Sequence, residues 1–104
     1  MKQYPYVEDY LEILAGYLPE NKGAFGYLFM NPKRIISLAR YDVKIVDSMA
    51  QHVLGGGALT DRQANLSISL ILKYRKQFSK HDIDITPVET PVFRTPIREV
   101  VRLK

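Results

Sequence analysis

The side chains able to do chemistry in this 104-residue sequence are few and scattered. There are two histidines, His52 and His81, and no cysteine, which excludes disulfides, thiolate zinc sites, iron–sulfur ligation and a cysteine nucleophile. His52 stands among apolar residues of a helical pattern with no ligand-type neighbour. His81, Asp82 and Asp84 offer one imidazole and two carboxylates in a loop, too few for a metal centre. Glu8, Asp9 and Glu12 are close enough for paired-carboxylate catalysis. They also sit in the first turns of a predicted helix, where the helix dipole alone favours acids. Five serines (37, 48, 67, 69 and 79) have no identifiable base, and no G-x-S-x-G elbow is present. The run Gly55-Gly56-Gly57 lacks the Lys-Ser/Thr of a phosphate-binding loop, and there is no G-x-G-x-x-G. These residues predict no enzyme, no catalytic or metal-ligating residue and no cofactor.

What remains is a basic constellation. The chain carries 15 Lys/Arg against 11 Asp/Glu, a formal charge of +4. Residues 1–61 hold six basic and seven acidic residues, whereas residues 62–104 hold nine basic and four acidic, a net of +5. Residues 62–81 contain five bases and no acid. Lys73, Lys76 and Lys80 recur at helical spacing and so share one stripe. Arg94, Arg98 and Arg102 repeat the theme on the last segment, and Lys33 and Arg34 form a third group beside a predicted helix N-terminus, where backbone amides favour phosphate. The dipole accounts for Lys76 and Lys80 near a helix end. It does not account for the missing acids or the arginine ladder. A one-sided basic surface of this kind predicts contact with a polyanion. The seven tyrosines are potential base-stacking platforms, although Tyr10 and Tyr74 read as core-edge residues.

The elements that must position these residues read as helices. In residues 5–18, Tyr6, Val7, Tyr10, Leu11, Leu14 and Leu18 recur at three- and four-residue spacing, with Pro5 in the first turn and Pro19 as the stop. Asn31-Pro32 predicts a helix start, an Asn cap followed by Pro. Asp42 predicts the cap of a further helix with Val43, Val46, Met49, Ala50 and Val53 as its stripe, and the three glycines predict its end and a flexible joint. Thr60 and Gln63 form a T-x-x-Q capping box opening the longest helix, 61–80, expected at the centre of the fold. Prolines at 87, 91 and 96 force an extended path after His81. Beyond residue 96, both strand and helix periodicities are present, and the valine pair and prolines favour a strand. The single expected domain, 1–104, therefore divides into a helical body, 5–81, and a Pro-containing arm, 82–104. The fold class is mainly α: about four helices around the 61–80 helix, with an extended arm or short strand, alone or paired with residues 25–29.

Apolar residues make up 46% and charged residues 25%, ordinary for a globular chain. No run of about 18 apolar residues exists to span a membrane. "MKQYPYVEDY" has no apolar stretch of a signal peptide. The expected location is the cytoplasm.

The blocks "NPKRIISLARYDVKIVDSMAQ", "ALTDRQANLSISLILKYRKQF" and "TPVFRTPIREV" resemble, in this order, the N-terminal region of superfamily 2, DEAD-like DNA helicases encoded by tailed bacteriophages. The resemblance covers residues 30–102. It implies a role in phage DNA replication or recombination in the host cytoplasm, with the ATP-binding motor downstream, and it carries no catalytic residue onto this chain. Together with the charge pattern it predicts a non-enzymatic, DNA-binding accessory domain. Lys73, Lys76, Lys80, Arg94, Arg98, Arg102, Lys33 and Arg34 are its expected phosphate contacts, on single- or double-stranded DNA, with a helicase motor in cis or in trans as a second partner. The alternative is a protein-interaction module docking onto such a motor or a host protein through Phe93 and Ile97 of the arm, which would add a strand to a partner sheet.

Overall fold

The structure, a computed structural model, describes residues 1–23 and 32–94. Tyr6 is extended (φ −123°), and α1 runs from Val7 to Ala15. The Asp9 carboxylate accepts the Tyr6 N–H at 3.1 Å, which satisfies one of the open donors at the helix start. The helix ends earlier than its periodicity suggests, three residues short of Pro19. Gly16 takes a left-handed conformation (φ 108°), its N–H bonds Ile13 O at 3.0 Å, and the Tyr17 N–H bonds Glu12 O at 2.9 Å. This is a Schellman closure. A Cβ on Gly16 would also stand 2.9 Å from Lys33 N, so the chain at 32–34 can pack here only against glycine. Gly56 shares the positive φ (91°), but a Cβ there meets nothing within 4 Å. Gly16→Ala is therefore expected to lower the urea midpoint clearly more than Gly56→Ala, which carries only the left-handed strain of about 1–2 kcal/mol.

Every residue of α1 is buried. It packs against both α2 (Arg40–Leu54) and α3 (Asp61–Lys73), so α1, and not the 61–80 helix, is the centre of the fold. A nine-residue segment is short for that place, but the other helices can shield all its sides at once.

The helix expected from Asn31-Pro32 does not form over the described part: residues 32–39 are irregular and α2 begins at Arg40, and Asn31 lies outside the described residues. The reason lies in where the backbone donors go. The Lys33 N–H bonds Gly16 O (2.9 Å), the Ser37 N–H bonds Gln77 Oε1 (2.7 Å), and the Ala39 N–H bonds the Tyr74 hydroxyl (2.8 Å). For Ser37 and Ala39 these tertiary partners replace the i−4 carbonyls of a helix. Ala39 is the N-cap of α2, and Asp42, expected as a cap, is the third helical residue and is buried.

The Thr60–Gln63 capping box forms as the sequence predicts: the Thr60 N–H bonds Gln63 Oε1 (3.0 Å) and the Gln63 N–H bonds Thr60 Oγ1 (3.1 Å). The long helix does not continue to residue 80. Tyr74 (φ −99°, ψ 17°) separates α3 from α4, Arg75–Lys80. No proline or glycine is involved. The Tyr74 hydroxyl donates to Asp42 Oδ2 at 2.5 Å and accepts from Ala39, so the side chain is pinned from the neighbouring helix.

Asp82 closes α4 in the left-handed region (φ 61°), with Asp82 N–H on Ser79 O and Ile83 N–H on Phe78 O, both at 3.0 Å. The arm then departs from a continuous extended path: Ile83 makes a single parallel bridge with Lys2, and Thr86–Glu89 forms a short 3-10 turn. Farther on, Val92 O accepts the Val7 N–H at 2.9 Å. A pairing with residues 25–29, and the helix-or-strand question beyond residue 96, lie outside the described residues. The fold is mainly α, with four α-helices and no strand among the described residues. None of these helices is long and apolar enough to cross a membrane.

Candidate nucleic-acid interface

Six of the eight cations singled out by the sequence lie among the described residues, and they divide into three groups. The first is engaged in internal ion pairs, half-buried at Arg94 and exposed at Arg34. Arg94 Nη1 meets Glu12 Oε2 at 2.8 Å, Nη2 meets Asp9 Oδ1 at 2.7 Å, and its backbone N–H donates to Glu8 Oε1 at 2.8 Å. The guanidinium also lies 5.9 Å from the Tyr6 ring centroid. Burial works against its charged form, and the bonds to Glu12 and Asp9 more than offset this, so its pKa is raised. These contacts link Arg94 to α1 and its preceding residue, where it clamps the arm to the core. Glu8, Asp9 and Glu12, 1%, 6% and 0% exposed, are thus more than a dipole feature: the arm meets α1 through them at Arg94. Arg34 pairs with Asp47 and donates through Nε to Leu14 O at 3.2 Å.

Lys73 belongs to a second, half-exposed group. Its ammonium lies 2.7 Å from Asp42 Oδ2, 3.3 Å from the Tyr41 hydroxyl and 4.6 Å from the Tyr41 ring centroid. Burial pushes the Asp42 carboxyl up, but the bonds from Lys73 and Tyr74 outweigh it and leave Asp42 below the usual carboxylate range. The same bond to Asp42 raises the Lys73 pKa. Lys73 therefore stays cationic, and its charge is partly shared with an internal carboxylate.

The third group faces solvent. Lys33, Lys76 and Lys80 are exposed and form no ion pair among the described residues. Arg40, Lys44, Arg62 and Arg75, which the sequence argument did not select, are in the same condition. The signal for them was present: none falls on the apolar stripe of its helix. Residues 40–80 hold seven Lys/Arg and three Asp, a net of +4, and two of those acids, Asp42 and Asp47, are already paired with Lys73 and Arg34. A two-way clasp draws this surface together. The Ser37 N–H donates to Gln77 Oε1 and Gln77 Nε2 donates to Ser37 O (2.7 and 2.9 Å). The clasp seats the 32–39 segment, and with it the start of α2, against α4. Arg98, Arg102 and Ile97 lie outside the described residues. Phe93 is half-buried and packs against the core.

His52 Nε2 is 2.9 Å from Ala58 O, bracing the glycine loop. Among the described residues, no group of three or more His, Asp or Glu is placed to hold a metal ion.

Scans of family models, curated proteins and solved structures found no match to this chain. The reading of this surface therefore rests on its own geometry. It is a strip of solvated cations on α2, α3 and α4, in which two of the three nearby acids, Asp42 and Asp47, are paired with Lys73 and Arg34 and the third, Asp61, is exposed.

Proposed function

We propose that this domain binds nucleic acid through the exposed cations of α3 and α4, as a non-enzymatic accessory domain. One observation carries the reading. Arg75, Lys76 and Lys80 project from α4 with no acid between residues 62 and 81, while the fold spends Asp42 on Lys73 inside the molecule. Surfaces that serve only solubility intersperse both signs. Lys33, Arg40 and Lys44 extend the strip, and such point charges contact phosphate without reading sequence. The resemblance of three sequence blocks to phage helicase N-terminal regions supports a place beside a DNA motor. Arg94 serves the fold in this reading, holding the arm on α1.

Titration of labelled DNA at two salt concentrations tests this. Binding at about 50 mM salt that weakens steeply at about 200 mM is expected. Absence of binding to any strand form at the lower salt would overturn the proposal.

A further inference from the structure

Among the tyrosines of the described residues, Tyr41 stands out. Tyr10 and Tyr74 are buried, whereas Tyr41 is 72% exposed. It is not simply a loose surface ring. Lys73 sits at its hydroxyl edge, and Lys73 is itself held by Asp42, which is held by Tyr74, whose hydroxyl is held by Ala39. A chain of four contacts thus fixes an aromatic plane in solvent, between the solvated cations Arg40 and Lys44. One turn farther along α2, Ile45 (42% exposed) opens a groove of about 320 Å³ between α2 and α3, lined by Lys44, Ile45, Ser48, Met49, Gln63 and Leu66. Both of these helices pack against α1. Met49, 3% exposed, belongs to the core, and Leu66 is 37% exposed on the lining.

From this geometry we infer that the nucleic acid taken by this surface is single-stranded, with one base stacked on Tyr41 and a neighbouring base entering the α2–α3 groove. The inference rests on the nucleic-acid reading above and adds the strand form. A duplex keeps its bases stacked on one another and presents mainly phosphate. A single strand offers π-faces, and an aromatic ring flanked by cations fits that chemistry. Lys73 lies over the hydroxyl side of the ring, 4.6 Å from its centroid, the exposure of Tyr41 leaves the opposite face for a base, and the lining Lys44 places a charge where the backbone would pass the groove. The charge of the strip selects a polyanion as the occupant of this apolar groove over an uncharged or basic partner.

The chain contains no tryptophan, so Tyr41→Trp places a lone reporter at the platform. Addition of oligothymidine is expected to quench its fluorescence, with a duplex of equal length quenching it far less. Tyr41→Ala is expected to weaken oligothymidine binding about ten-fold, as loss of one stacked base does, while duplex affinity changes less than about two-fold. Tyr41→Phe, which keeps the ring, is expected to retain most of the affinity. Equal duplex and single-strand affinity, or an unchanged affinity of Tyr41→Ala for oligothymidine, would overturn the inference and leave phosphate binding standing. Failure of both strand forms to bind at about 50 mM salt would overturn the nucleic-acid reading itself.

Discussion

Replacing Arg94 by Met is expected to destabilise the domain by about 3–5 kcal/mol, the cost of removing one partner from a buried charge pair. The side chains of Asp9 and Glu12 are 8% and 0% exposed, and each receives one Arg94 nitrogen. Without the guanidinium, the two carboxylates lose their closest counter-charge, while Lys22 stands farther off at 3.8 Å from Glu12 Oε1 and the residue-94 backbone N–H is kept for Glu8. Arg94→Lys is expected to recover part of the loss, because an ammonium cannot reproduce two parallel N–H donors. The cause can be separated from lost packing by a double-mutant cycle. With Glu12→Gln in the background, Arg94→Met should cost markedly less, leaving a coupling energy within the range of about 0.5–3 kcal/mol for residues in one network. Urea denaturation of the four proteins measures this. Equal losses in both backgrounds would show that Arg94 acts by packing alone.

Phe78→Ala is expected to cost a similar amount, about 3–5 kcal/mol for emptying a buried phenyl site. Phe78 is fully buried and meets the Tyr10 ring edge-on, with centroids 5.9 Å apart. It is also the one buried residue of α4. Its loss therefore releases the helix that carries Arg75, Lys76 and Lys80, and DNA affinity should fall even at temperatures where the variant stays folded. Phe78→Leu, which keeps most of the volume, should lose less stability and little affinity. If Phe78→Ala unfolds the chain outright, the leucine variant still tests the link between seating α4 and binding. Against a total stability of about 5–15 kcal/mol, either large substitution leaves a small margin.

How much of this was legible beforehand follows from the range of the interactions involved. The Thr60–Gln63 box is a contact between neighbours in sequence, and it forms as read. The stripe of Val43, Val46, Met49, Ala50 and Val53 is likewise local, and all but the half-buried Val43 are buried. Asp42 extends that same stripe by one turn, a position that already marked it as inward-facing rather than a cap. The acids of α1 were not legible in this way. Their partner, Arg94, is 82 to 86 residues distant, and an arginine in a basic ladder has no local mark of an internal role. The irregular 32–39 segment was hidden for the same reason, since Gln77 and Tyr74 supply the bonds that displace the helix. Tyr74 likewise interrupts the long helix through a hydroxyl bond to another element. Periodicity cannot report contacts of this kind. For the candidate site, helical spacing correctly placed Lys76 and Lys80 in solvent but could not show that Lys73 pairs with Asp42 or that Tyr41 is held beside it.

The proposed function requires that solvated cations of α4 contact phosphate. The most direct measurement is the slope of log affinity against log salt concentration for oligothymidine, compared between the native chain and Lys76→Ala/Lys80→Ala. Each phosphate contact to a single strand contributes about 0.7 to that slope. The account predicts a slope shallower by about 1.4 in the double variant, with unchanged urea stability. A slope identical to that of the native chain would contradict it.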